Sequence, residues 1–130
     1  MQQIAGERAR RSGQIVLATI VHPTWHHLDF KARPVVLIAP KPGSSVWMGM
    51  GLTTNHCFAD GSPRVPVPNW QTVGLDKPAY LWAASLVPVS PVDIIAEIGM
   101  ADAALMRAIE QHLKDGRFGP AETKADSLLN

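Results

Sequence analysis

Apolar residues in this chain come in short, β-branched runs broken by proline and glycine, the pattern of a small β protein. Gln14-Ile15-Val16-Leu17-Ala18-Thr19-Ile20-Val21, bounded by Gly13 and Pro23, predicts a buried strand. Pro34-Val35-Val36-Leu37-Ile38-Ala39 predicts a second, with Pro34 tolerated at its first position. Val46 to Thr54 predicts a third whose interior glycines, Gly49 and Gly51, suggest a bulge or close approach by other parts of the chain. Arg64-Val65-Pro66-Val67-Pro68 alternates proline with valine and predicts only a short edge strand. Ala79 to Val89 is the longest strand expected, and Ile94 to Ile98 the last, ended by Gly99. Loops are expected over His22–Ala32, Pro40–Ser45, Asn55–Pro63 and Trp70–Pro78.

One segment has helical spacing. Asp102 is a suitable N-cap, Leu105, Met106, Ile109, His112 and Leu113 then share one face, and Gly116 can close the helix. Several short strands and a single late helix predict a mainly β (α+β) fold. The expected architecture is a small, strongly bent β-barrel or half-open sheet capped by a C-terminal helix.

A length of 130 residues fits one domain. A hydrophobic fraction of 46% supplies its core without a metal or disulfide staple. The expected divisions are a flexible basic leader over 1–12, the barrel over 13–116 and a flexible tail over 117–130. Cys57 is the single cysteine, so no internal disulfide can form, which suits a reducing cytoplasm. Met1-Gln2-Gln3 leads into charge rather than an apolar signal core, and no apolar run approaches the roughly 20 residues that span a bilayer. The net charge of +1 does not by itself announce a nucleic-acid partner. Any field for a nucleic acid must come from how Lys31, Arg33, Lys41, Arg64 and Lys77 are grouped. His22, His26, His27, His56 and Cys57 match no closed zinc-site spacing, so neither a metal nor another cofactor is expected.

Three segments in order resemble the PemK/MazF family of toxins from toxin–antitoxin pairs. They are Gly13-Gln14-Ile15-Val16-Leu17; Lys31-Ala32-Arg33-Pro34-Val35-Val36-Leu37-Ile38; and the stretch from Gly74-Leu75 through Tyr80-Leu81-Trp82 and Leu86-Val87-Pro88-Val89 to Ile98-Gly99 and the helix. The resemblance covers about residues 13 to 113. It implies an SH3-like barrel acting as a homodimer, cleavage of single-stranded RNA without a metal to leave a 2′,3′-cyclic phosphate, and a cognate antitoxin peptide that blocks the same surface. It also implies that the arginine before proline and the threonine ending the third strand meet at the scissile phosphate. By position these are Arg33 and Thr53.

The residue chemistry agrees in part. A guanidinium offers a planar fork of donors to phosphate, so Arg33 suits charge stabilisation, and the Thr53 hydroxyl can add a neutral hydrogen bond. Arginine is a poor general base because it keeps its proton far above neutral pH. Histidine is better matched, which makes His26 and His27 the candidates for proton transfer and Trp25 a candidate for stacking on an unpaired base. Lys31, Thr54 and Arg64 complete the expected RNA contacts, although a regular strand would turn Thr54 to the opposite face from Thr53. Relatives often carry a polar pair and an arginine where this chain has Ala84, Ser85 and Val87. That departure leaves room for two other functions: a CcdB-like toxin that acts on a protein target such as gyrase, and an SH3-like binding module without chemistry.

Overall fold

The computed structural model describes residues 10–20, 32–58, 60–83 and 85–116. Within them, the β-branched runs form β1 (Gln14–Thr19), β2 (Ala32–Pro40), β3 (Trp47–Thr53), β4 (Tyr80–Leu81), β5 (Val87–Val89) and β6 (Ile94–Met100). One helix follows, α1 (Ala103–Gly116). The strands make a six-stranded sheet in the order β4-β3-β2-β1-β6, with β5 also paired to β3. All pairings are antiparallel. The expected mainly β fold with a C-terminal helix is what forms.

Both faces of this sheet are buried, and strand alternation sorts the apolar residues between them. Ile15, Val36 and Met50 stand side by side across β1, β2 and β3. They pack with Leu52, Leu81 and the helix residues Leu105 and Ile109. On the opposite face Val16, Ala18, Val35 and Leu37 gather with Trp82, Val87 and Val89. Such two-sided burial explains why the first three strands read as nearly continuous apolar runs instead of a clean alternation. Shifts of register between β1 and β6 and between β2 and β3 bend the sheet.

The long strand expected over Ala79–Val89 forms in two pieces. Its first part pairs with the end of β3, Leu52 opposite Leu81, and its last part with the start of β3, Trp47 opposite Val89. Trp82 and Ala83 leave the ladder in a bulge, and the Trp82 amide still donates to the Gly51 carbonyl at 2.8 Å. Gly51 accounts for the bulge. A Cβ there would stand 2.5 Å from the Trp82 ring, so glycine is what lets the indole lie against β3. The Arg64–Pro68 segment makes only one isolated bridge, Pro66 to Tyr80, and Pro63 just before it makes another to Cys57, because the prolines cannot donate to a ladder.

β6 extends two residues beyond the expected end, through Gly99 to Met100. Gly99 is required by packing: a Cβ would collide with the Val73 carbonyl, with the Gly74 backbone close behind. Both obstacles are backbone and cannot rotate away. Gly99→Ala is therefore expected to destabilise the fold by about 2–3 kcal/mol, seen as a lower urea midpoint with an unchanged slope.

Asp102 caps α1 as its sequence position suggests. Its Oδ1 accepts from the Leu105 amide at 2.9 Å, and its Oδ2 accepts from Asn69 Nδ2 at 3.0 Å. The amide hydrogen bond, then the Asn69 bond, hold the Asp102 pKa below the usual carboxylate value. Asp102→Ala should cost about 1 kcal/mol at neutral pH. Folding lowers this pKa, so the contribution is complete above the unfolded value of about 3.9 and is lost as pH falls through the lower folded value. The gap between wild type and Asp102→Ala in denaturant titrations should accordingly shrink only below about pH 4.

Candidate functional site

Strand register carries Arg33 and Thr53 to one place. The β2–β3 ladder ends at Val35 opposite Gly51. Two positions further on, where side chains return to the same face, stand Arg33 on β2 and Thr53 on β3. On the other side of β2, Arg33 lies opposite Ala18 of β1. Its guanidinium sits 5.0 Å from the centre of the Trp82 ring, a cation–π distance. Trp82 is itself 6% exposed and rests on Gly51, so the base beneath the guanidinium is part of the core. Arg33 is thus half-buried at the rim of the face formed by Val16, Val35 and Leu37.

Thr53 is held by a local turn. Its Oγ1 accepts from the Asn55 amide at 3.1 Å. With the oxygen engaged as an acceptor, the hydroxyl proton is left for donation outward. Across the ladder Thr53 pairs with Tyr80 of β4, which brings the phenol to the same face. Thr54, next along, is exposed in the bend that follows β3.

Arg64 joins this group from a different direction. Its Nε donates to the Trp82 carbonyl at 3.1 Å, and its Nη1 donates to the carbonyls of Asn55, at 3.2 Å, and Cys57. Its guanidinium also lies 4.4 Å from the centre of the Phe58 ring. The residue therefore clasps the loop leaving β3 to the bulge that carries Trp82. Burial, and after it the positive charge of Arg33, lowers the Arg64 pKa, with Cys57 acting in the opposite sense. Two guanidiniums near enough to perturb each other make this rim favourable for an anion. Arg64 offers mainly charge, because these donors are spent on backbone carbonyls.

The remaining expected residues divide into two groups. Trp25, His26, His27, Lys31 and Ala84 lie outside the described residues. Ser85 is exposed, whereas Val87 is 2% exposed, pairs with Gly49 of β3 and belongs to the cluster of Val35, Leu37 and Trp82, so its position serves the core rather than a ligand. Sequence reasoning weighed His56 and Cys57 but gave neither them nor Tyr80 a place in the site. His56 lies three residues beyond Thr53, with its ring centre 6.2 Å from that of Tyr80 at 62° and its Nδ1 3.0 Å from Cys57 Sγ. The adjacent His-Cys pair was visible, but its proximity to Thr53 and Tyr80 depends on strand pairing. Among the described residues no group of three or more His, Cys, Asp or Glu side chains is placed to hold a metal ion. No described helix is long and apolar enough to cross a membrane.

No family model matches the sequence, and no curated protein sequence matches it. Among solved structures, the chain is similar to the Mycobacterium tuberculosis toxin MazF-mt6. The TM-score is 0.53 and the identity 18%, over 78% of this chain and 94% of that one. At that identity the likeness concerns the path of the backbone, and on that measure this chain has a MazF-like fold.

Proposed function

We propose that this protein is the toxin of a toxin–antitoxin pair, a metal-independent endoribonuclease that cuts single-stranded RNA in the cytoplasm. The observation that carries the reading is one face holding two guanidiniums, Arg33 and Arg64, beside the Thr53 hydroxyl and the Trp82 ring. A fold shared with a protein described as a toxin supports it. In this reading the ribose 2′-oxygen attacks the adjacent phosphorus and the bond to the 5′-oxygen breaks, leaving a 2′,3′-cyclic phosphate.

Attack places extra negative charge on the non-bridging oxygens. Arg33 meets that charge with a forked pair of donors, and the Thr53 hydroxyl donates to the same group. Arg64 adds a positive field without a bond of its own. The site acts in a homodimer, and a cognate antitoxin peptide blocks it by occupying the RNA surface.

Purified protein incubated with a single-stranded RNA is expected to cut it equally well with and without EDTA. The 5′ fragment should carry a cyclic phosphate, and RNA with 2′-deoxy residues at the cut sites should resist. Intact RNA together with inhibited DNA supercoiling would instead indicate a gyrase-directed toxin. Inactivity in both assays would indicate a binding module without chemistry.

A further inference from the structure

Arginine and threonine can stabilise charge, but neither readily takes a proton near neutral pH. The proposed reaction needs a group that does. Among the described residues the histidines are His56 and His112. The Nε2 of His112 lies 2.8 Å from the Ala83 carbonyl, fastening α1 to the segment after β4. Its task is anchoring.

His56 is placed differently. Three consecutive carbonyls around it are held by one residue: Arg64 Nη1 donates to those of Asn55 and Cys57, and the Arg64 amide donates to that of His56 at 2.8 Å. The imidazole is exposed, with Nδ1 3.0 Å from Cys57 Sγ and the ring meeting Tyr80 at an angle. Tyr80 is the cross-strand partner of Thr53. Backbone bonds from Arg64, the Nδ1 contact with Cys57 and the Tyr80 ring together limit where the imidazole can lie, next to the strand partner of Thr53. So much fixation of an exposed histidine at the edge of a cationic face is what proton transfer requires.

We infer that His56 Nε2 is the proton acceptor of the site, with Cys57 as the residue that positions it; this rests on the nuclease reading above. As the O2′–P bond forms, the proton leaves O2′ for Nε2. The P–O5′ bond breaks with its electron pair going to O5′, which takes a proton from water. The imidazolium then returns its proton to solvent, so no oxidant, reductant or metal is consumed. Among the described residues, Cys57 and Tyr80 meet the ring, Arg64 holds the backbone on either side of it, and Arg33 stands over Trp82.

The test is a set of single-turnover pH–rate profiles on one RNA substrate for wild type, His56→Ala, His56→Asn, Cys57→Ala and Arg33→Ala. His56→Ala is expected to lose about 100-fold in rate at the optimum. It should also lose the acidic limb of the wild-type profile, and added imidazole should restore part of the rate. His56→Asn, which keeps a partner for Cys57 but carries no titrating ring, should match it and serves if the alanine variant misfolds. Cys57→Ala should keep the limb with a smaller loss in rate.

If both His56 variants cut within a few-fold of wild type with the limb unchanged, while Arg33→Ala is inactive, the inference falls and the nuclease reading stands. If wild-type protein leaves RNA intact at every pH, the nuclease reading falls and this inference with it.

Discussion

Arg33→Ala is expected to reduce RNA cleavage by about 100- to 1,000-fold, the usual effect of removing one donor aimed at a developing oxyanion. The loss should appear in the rate of the chemical step more than in RNA binding, because the fork is matched to charge that grows during attack. Arg33→Lys should recover little. A lysine carries the charge but lacks the planar pair of donors, and the position is built for a flat group lying 5.0 Å over an indole. Losing the stacking contact should lower stability by only about 1 kcal/mol, so the variant remains folded at assay temperatures. Single-turnover cleavage alongside thermal unfolding separates these effects. An Arg33→Ala protein that cuts at the wild-type rate would rule out this face as the catalytic one.

Trp82→Ala should produce the largest loss of stability, about 3–5 kcal/mol for deleting a buried indole. Three features set that magnitude. The residue is 6% exposed, it packs with Val16, Ala18, Val35 and Leu37, and the Gly51 that accommodates it leaves no side chain behind to refill the space. With total stabilities of about 5–15 kcal/mol for domains of this kind, the variant should unfold at much lower urea concentration. Activity should fall at the same time even where the protein is folded, since the Arg33 guanidinium rests on the ring that is removed. Trp82→Phe keeps an aromatic floor for Arg33 and should restore part of both properties. A Trp82→Ala protein with wild-type stability would mean that the bulge can close over Gly51 without the ring.

Much of the fold was legible because its signals are local. The runs starting at Gln14 and Pro34 announced strands through β-branching and their flanking glycine and proline, and Asp102 announced the helix three residues before Leu105 receives its cap. The Ala79–Val89 stretch was less legible. It has the composition of one strand, and the break in it comes from Trp82 turning onto Gly51, which lies thirty-one positions earlier. Likewise, nothing near Arg64 in sequence indicates that most of its donors will be taken by carbonyls at Asn55, Cys57 and Trp82.

The linear order of residues was by itself enough to determine a mainly β chain with one closing helix, and to single out Arg33 before Pro34 as a residue of interest. Which side chains share a surface was decided only by the assembled sheet. The register that stops at Val35 and Gly51 aligns Arg33 with Thr53, and the pairing of Thr53 with Tyr80 brings His56 to the same rim. Hydrogen-bonding propensity and hydrophobic period act over a few neighbours, whereas register is set by packing both faces of the sheet at once. A shift of one position would keep every strand and send Arg33 and Thr53 to opposite sides.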